Sequence, residues 1–360
     1  MLRKLLAGMD RRRFEADVIS LGSGGRIADE IRLLGVPVTE LCMDSGRPTM
    51  AAAIALCRAT IKLRPAIIHG WMYHGNLAAW VGWHALGRQA ALVWSIRQSL
   101  EFIAREKRGT QRVIRFCARC AGGVGRILYN SETSRLQHEA IGYPPAQGTT
   151  IPNGFETETF QPDPEARGRL RAELELPDTS LLIGLIARYH PVKDHRNFLE
   201  AAAMLSMKDP RAYFVLAGND VDDKNRALRN HVDRLGLTGR VFFLGERRDV
   251  PNITAGLDLA TSASISEAFP NVIGEAMSCG IPCVVTDVGD SALIVGQTGL
   301  VVPPSDSSAL AEAWLKLLSL EPQRRSELGG QARQRVLQHY SMRLTVQQHE
   351  ALYEELAKGN

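Results

Sequence analysis

Residues 264–280 read Ser-Ile-Ser-Glu-Ala-Phe-Pro-Asn-Val-Ile-Gly-Glu-Ala-Met-Ser-Cys-Gly. An apolar, strand-like run precedes the stretch and places Glu267 in a loop. Pro270 suits the first position of a helix, where its missing N–H is no loss. Gly280 stands where a left-handed residue would end that helix. Glu267 and Glu275, eight positions apart, therefore bracket a helix start. One lies before the outward-pointing N–H groups and one on the turns behind them. The pair suits a ligand that carries phosphate, which a helix N-terminus attracts, and hydroxyls, which donate to carboxylates.

The spacing of two acids is a weak pattern, but its setting is specific. Glu-Ala-Phe-Pro-Asn stands at 267–271, Gly-Glu-Ala-Met at 274–277 and Cys-Gly-Ile-Pro-Cys-Val-Val at 279–285. Gly289 and the Gly-Leu-Val-Val-Pro-Pro turn at 299–304 follow. Together these motifs resemble the Glu-x7-Glu signature of retaining glycosyltransferases of family 4, and the likeness extends over nearly the whole chain. The resemblance implies an α/β fold of the GT-B type, two Rossmann-like domains whose parallel sheets face across a cleft. It implies transfer of a sugar from a UDP- or GDP-linked donor to a hydroxyl of a glycan or polyprenyl-lipid-linked acceptor. Bacterial polysaccharide biosynthesis is the setting it suggests, with no metal cofactor. A sugar-nucleotide epimerase of the same fold would lack the 267–271 signature.

The first loop of the second domain runs from Gly184 to Lys193, at the carboxyl end of a strand, where open α/β sheets place ligands. Arg188 offers a planar fork and Lys193 a compact point charge. By resemblance these two hold the diphosphate and balance charge on the leaving group. Resemblance also gives Glu275 the ribose hydroxyls and Glu267 the sugar hydroxyls near the anomeric carbon, in a same-face displacement. The N–H groups of Phe269, Asn271 and Val272 would address the sugar and the distal phosphate; Pro270 has none to give. Gly218 and Gly245 lie in strand-end turns where glycine permits close backbone approach. No Asp-x-Asp metal motif ends a strand, Asp222 and Asp223 lying in a polar loop.

In the first domain His69-Gly70-Trp71-Met72-Tyr73-His74 follows a strand. Many members of the family carry a second His at the place Trp71 holds here. His74 is the substitute, able to orient hydroxyls or relay a proton, with a packed structural role as the alternative. Arg97 and Ser99, just beyond the next strand, are acceptor-side candidates.

The chain has 360 residues, 45% hydrophobic and 23% charged, enough for two ordinary soluble domains. No apolar run approaches the roughly 18–20 residues of a membrane span, and the opening Met-Leu-Arg-Lys-Leu-Leu-Ala-Gly does not read as a signal peptide. A cytoplasmic protein is expected, at the inner face of the membrane if its acceptor is lipid-linked. Six scattered cysteines form no disulfide framework, and packing is the better reading of the Cys117/Cys120 pair inside a helix. Residues 1–150 carry 21 Lys/Arg against 11 Asp/Glu, and the remainder 22 against 28. A basic first half suits an anionic partner. The stretch from Arg105 to Arg126 reads either as a basic amphipathic helix lying on a membrane or as a solvated face. No nucleic-acid-binding motif accompanies the charge.

Strands are expected at Ala16–Leu21, Val36–Leu41, Ala66–His69, Leu92–Ser95, Arg126–Tyr129 and Thr149–Ile151. The second half adds Ser180–Ile186, Ala212–Ala217, Arg240–Leu244, Leu257–Thr261, Cys283–Thr286 and Gly299–Val302. The turn at Pro152-Asn153-Gly154 divides an acceptor-side domain, 1–153, from a nucleotide-sugar domain, 154–340, and the helix within 341–360 is expected to cross back to the first. By resemblance a strand and a Gly-Gly loop precede the first helix, whereas Met1–Gly8 reads as the middle of that helix. The first strand is therefore expected to be missing. This leaves a second function open: a truncated, weak or inactive glycosyltransferase-like protein that binds nucleotide.

Overall fold

The computed structural model describes residues 1–43 and 49–358 and divides into two compact units, Met1–Gly154 with Met342–Asn360, and Phe155–Ser341. The first unit holds β1 (Val18–Ser20), β2 (Val38–Glu40), β3 (Ile67–Trp71), β4 (Ala91–Ile96), β5 (Arg126–Tyr129) and β6 (Gly148–Thr150). Every pair is parallel, yet the strands form two sheets, β1-β2 and β3-β4-β5-β6, and no strand among the described residues joins them. The first element of the unit is the helix Leu2–Gly8. All six residues of β4 are buried. Trp94 and Ile96 pack with Trp83, Ile114 and Tyr143 on one face. Val93 meets Leu128, Ile151 and Leu352 on the other. Leu352 belongs to the terminal helix Met342–Lys358, which thus covers the second face of this sheet.

The second unit is one parallel sheet of β7 (Leu181–Ile186), β8 (Ala212–Ala217), β9 (Val241–Phe243), β10 (Leu259–Ser262), β11 (Cys283–Thr286) and β12 (Gly299–Val302), in the order β12-β11-β10-β7-β8-β9. Along β7 the pleat sends Leu181, Ile183 and Leu185 to a core with Phe198, Phe214 and Trp314. Leu182 points to the opposite core, with Phe155, Phe269 and Met277. Both faces are covered, so the strand reads as an unbroken apolar run.

The helix carrying Glu275 runs Asn271–Ser278 and starts one residue later than the sequence suggests. Pro270 is its cap, because a ψ of 109° holds it outside the helical region. Gly280 closes the helix at φ +74°, as expected. Gly274 in the second turn lies under the Phe155 ring, and a Cβ there would come 2.0 Å from Phe155 Cε2. Gly274→Ala must displace a ring stacked on Phe269 at 6.0 Å and packed against Tyr340. Overpacking of this kind costs about 1–3 kcal/mol. A thermal midpoint lowered by several degrees is expected, and an unchanged midpoint would show that the ring yields freely.

Candidate active site

The order of the second sheet creates a switch point. From β7 the chain moves on to β8, while from the neighbouring β10 it moves the opposite way to β11. The two loops leaving their carboxyl ends diverge and open a crevice, the place where such sheets bind ligands. The loop after β7 carries Arg188 and Lys193, and the loop after β10 carries Glu267. Backbone bonds hold these segments in register: Ile265 N–H donates to the Val192 carbonyl at 2.8 Å, and Tyr189 N–H to that of Asn219 at 2.8 Å. Gly218 N–H donates to the Gly245 carbonyl at 2.8 Å. At φ +152°, a Cβ on Gly218 would stand 2.3 Å from the Ala187 carbonyl oxygen, so only glycine lets the β7 and β8 loops meet. Gly289 does the same for the Glu267 loop, where a Cβ would stand 2.4 Å from the Glu267 carbonyl oxygen.

Lys193 ends a short turn, Pro191–Lys193, and its Nζ pairs with Glu267 Oε1. Ser264 Oγ donates to the same carboxylate oxygen at 2.8 Å. The Lys193 and Glu267 side chains are 23% and 15% exposed, so the pair lies in a medium less polar than water and its attraction is strengthened. Asp194 follows in the left-handed region, at φ +46°, and caps the helix His195–Lys208 by accepting Asn197 N–H at 3.2 Å. Its other oxygen accepts from Ser305 Oγ at 3.0 Å. Beneath the loop His195 is buried, and burial pushes its imidazole down to about 4. The Arg188 guanidinium is on an exposed residue of the same loop.

Glu275 is half-buried and lines a small recess with Gly184, Thr261 and Val272, so it reaches back toward β7 and β10. Asn271 is exposed at the first helical position. The Phe269 ring is buried between Phe155 and Tyr340, which leaves this residue only its backbone to offer a ligand. Gly245 adopts φ +66° at the end of β9.

The first-unit candidates fare differently. His74 is exposed on the first turn of the helix Met72–Ala85. Ser99 is already engaged: its Oγ donates to Gln137 Oε1 at 2.9 Å and fixes the loop to a helix. Arg97 stacks on Trp71 at 4.7 Å and donates to Asn153 Oδ1, while burial lowers it to about 10. The imidazole that the fold engages in this region is His69, half-buried and not chosen from the sequence as a site residue. Its Nδ1 shares a hydrogen bond with Tyr353 Oη at 2.7 Å and its Nε2 one with Ser95 Oγ at 2.8 Å. His349 stacks alongside at 6.5 Å. His349 and Tyr353 stand four apart on the terminal helix, a spacing that puts them on one face and could have signalled a shared partner. Cys117 is buried against the Tyr73 carbonyl and its thiol is pushed up to about 12. Among the described residues no group of three His, Cys, Asp or Glu is arranged to hold a metal ion.

Comparison with known proteins agrees with this architecture. The family described as Glycosyltransferase Family 4 matches residues 1–159, and Glycosyl transferases group 1 matches residues 180–320. Among similar sequences is the UDP-Gal:alpha-D-GlcNAc-diphosphoundecaprenol alpha-1,3-galactosyltransferase of Escherichia coli, 28% identical over 56% of this chain and 52% of its own. The lipopolysaccharide core biosynthesis mannosyltransferase LpsB of Rhizobium meliloti is 30% identical over 46% of this chain and 49% of its own. The chain thus spans about half the length of the relatives it matches. Among solved structures, Anabaena Alr3699/HepE in complex with UDP and glucose superposes with a TM-score of 0.84. It is 22% identical and covers 98% of this chain and 95% of that one. The shared fold is GT-B.

Proposed function

The chain belongs to glycosyltransferase family 4, and on that premise we propose that it transfers a sugar from a nucleoside diphosphate sugar to a hydroxyl of a glycan or polyprenyl-lipid-linked acceptor. The reading rests on one observation, the Lys193–Glu267 pair at the switch point beside the start of the Asn271–Ser278 helix. A diphosphate entering there meets the Lys193 ammonium, the Arg188 fork and a helix N-terminus, three attractions for negative charge. As the glycosidic bond breaks, charge grows on the departing phosphate, and these fixed groups stabilise it without reorganising. On this reading the two cations do the work of a metal ion. The half-buried carboxylate of Glu275 accepts from the ribose hydroxyls, and Glu267 from hydroxyls of the sugar. Retention follows if the acceptor enters on the face the phosphate leaves.

Similar proteins support a uridine nucleotide: one is a UDP-Gal:alpha-D-GlcNAc-diphosphoundecaprenol galactosyltransferase, and another was solved with UDP and glucose. A thermal titration of the chain with UDP, GDP and ADP tests the reading. One nucleotide should raise the midpoint, by about 2.7 kcal/mol of added stability at a hundred times its Kd. Chelation by EDTA should leave both the shift and turnover unaltered. No response to any of the three would overturn the proposal.

A further inference from the structure

Arg97 directly follows β4, at the carboxyl edge of the four-stranded sheet of the first unit, where α/β sheets place ligands. The residue is half-buried, and its Nε is closed to solvent without an acceptor. Nη1 donates to Asn153 Oδ1, and Cζ lies over the Trp71 ring, 4.7 Å from its centroid. Nη2 has no partner among the described residues. No carboxylate among them pairs with Arg97 either: burial lowers its proton affinity, and the group that offsets burial is the Tyr353 phenol.

Two other arginines show how this chain satisfies such a group. Arg171, fully buried, donates to the Ser180, Arg167 and Gly256 carbonyls and pairs with Asp258. Arg333 donates to the carbonyls of Phe160, Thr157 and Ser278. A structural role for Arg97 would call for the same saturation, because unmet donors on a screened cation are costly. Its surroundings add no second charge. His69 is held at both ring nitrogens by Tyr353 and Ser95, and His349 stacks beside it. Burial keeps both imidazoles neutral at pH 7. What remains is one positive charge on a planar fork whose Nε and Nη2 lie side by side, the edge that fits two oxygens of a single anionic group.

We propose that Arg97 is an anion site for the acceptor: through Nη2 and Nε it grips one singly charged group, the carboxylate of an acidic sugar or a phosphodiester. The anion meets Nη2 first, and Nε completes the fork as the half-buried side chain settles onto it. The hydroxyl to be glycosylated then belongs to an anionic acceptor. That last step rests on the proposed function, whereas capture of the anion does not.

Titration of the full chain with glucuronate, dimethyl phosphate and glucose, at ionic strength held equal with chloride, provides the test. Glucuronate or dimethyl phosphate should raise the thermal midpoint by mass action, and glucose should not. The more effective anion identifies the source, a carboxylate pointing to an acidic glycan and a phosphodiester to a phosphate-linked acceptor. Arg97→Lys keeps the charge without the fork and should bind about tenfold more weakly, and Arg97→Met should not respond. The parent chain also carries its own readout, which no folding defect of a variant can obscure: the Arg97 Nε–H resonance should move on addition of the anion and stay in place with glucose. UDP is titrated into the same samples, so that a missing donor response beside an intact anion response counts against the donor reading alone. A parent chain whose midpoint and Nε–H resonance ignore both anions would overturn the assignment. So would Arg97→Met responding as the parent does.

Discussion

Replacing Lys193 by alanine is expected to lower kcat/KM for sugar transfer by two to three orders of magnitude and to abolish the nucleotide-induced thermal shift. The size follows from what a preorganised charge contributes where negative charge develops, about 3–4 kcal/mol for a single donor. The resting site adds a second consequence. Lys193 is paired with Glu267 while Ser264 holds the same carboxylate oxygen, so on the proposed reading an arriving diphosphate finds the ammonium already paired. A bound diphosphate must share that cation with Glu267. Glu267→Gln should therefore tighten binding of the free nucleoside diphosphate, because a like charge is gone and Lys193 is released. The same variant should turn over poorly, because an amide is a weaker acceptor for the sugar hydroxyls. Calorimetric titration with the free nucleotide, set beside steady-state rates, separates the two effects. If Lys193→Ala binds and turns over like the parent, the charge assignment is wrong.

Acid should destabilise both units well before the exposed carboxylates titrate. His138 and His349 in the first unit and His195 in the second are each pushed down to about 4, chiefly by burial. His69 lies well below its ordinary value for the same reason, with the neighbouring His349 and Arg97 adding repulsion. The unfolded chain protonates these rings near 6.5, whereas His138, His195 and His349 in the folded chain take up a proton only near 4. Between those values the unfolded state binds more protons, so stability is complete above pH 6.5 and falls as the pH drops toward 4. Each ring contributes at most about 1.4 kcal/mol per pH unit. Urea midpoints measured from pH 7 to 4.5 should fall steeply below pH 6.5. His138→Gln and His349→Gln should flatten the profile of the first unit and His195→Gln that of the second. A flat profile for the parent chain would show that the folded protein accommodates these protons.

Strands with both faces covered were the most legible part of the sequence. The ranges read for β5, β8 and β11 coincide with those of the structure, because an apolar run bounded by turn residues needs no knowledge of its partners. The strands β1, β2 and β9 are only three residues long, shorter than their apolar stretches, since pairing with a neighbour rather than hydrophobicity sets where a ladder ends. Pro270 was read one place too far into its helix, because the cap depends on a ψ that composition does not reveal.

The motif around 264–280, with Arg188 and Lys193, is local chemistry, and residue types at fixed spacing were enough to mark it. The pairing of Lys193 with Glu267 joins residues 74 apart, and that of His69 with Tyr353 joins residues 284 apart. The first depends on which strands become neighbours and the second on where the terminal helix packs, and both are decided by burial summed over the whole chain. For the same reason the sequence favoured the exposed His74 over the half-buried His69, which is hydrogen-bonded at both ring nitrogens, and did not reveal that Ser99 bonds to Gln137. Local pattern carries propensity, charge and spacing, whereas the partner a side chain finds, and the burial that sets its proton affinity, exist only once distant segments pack.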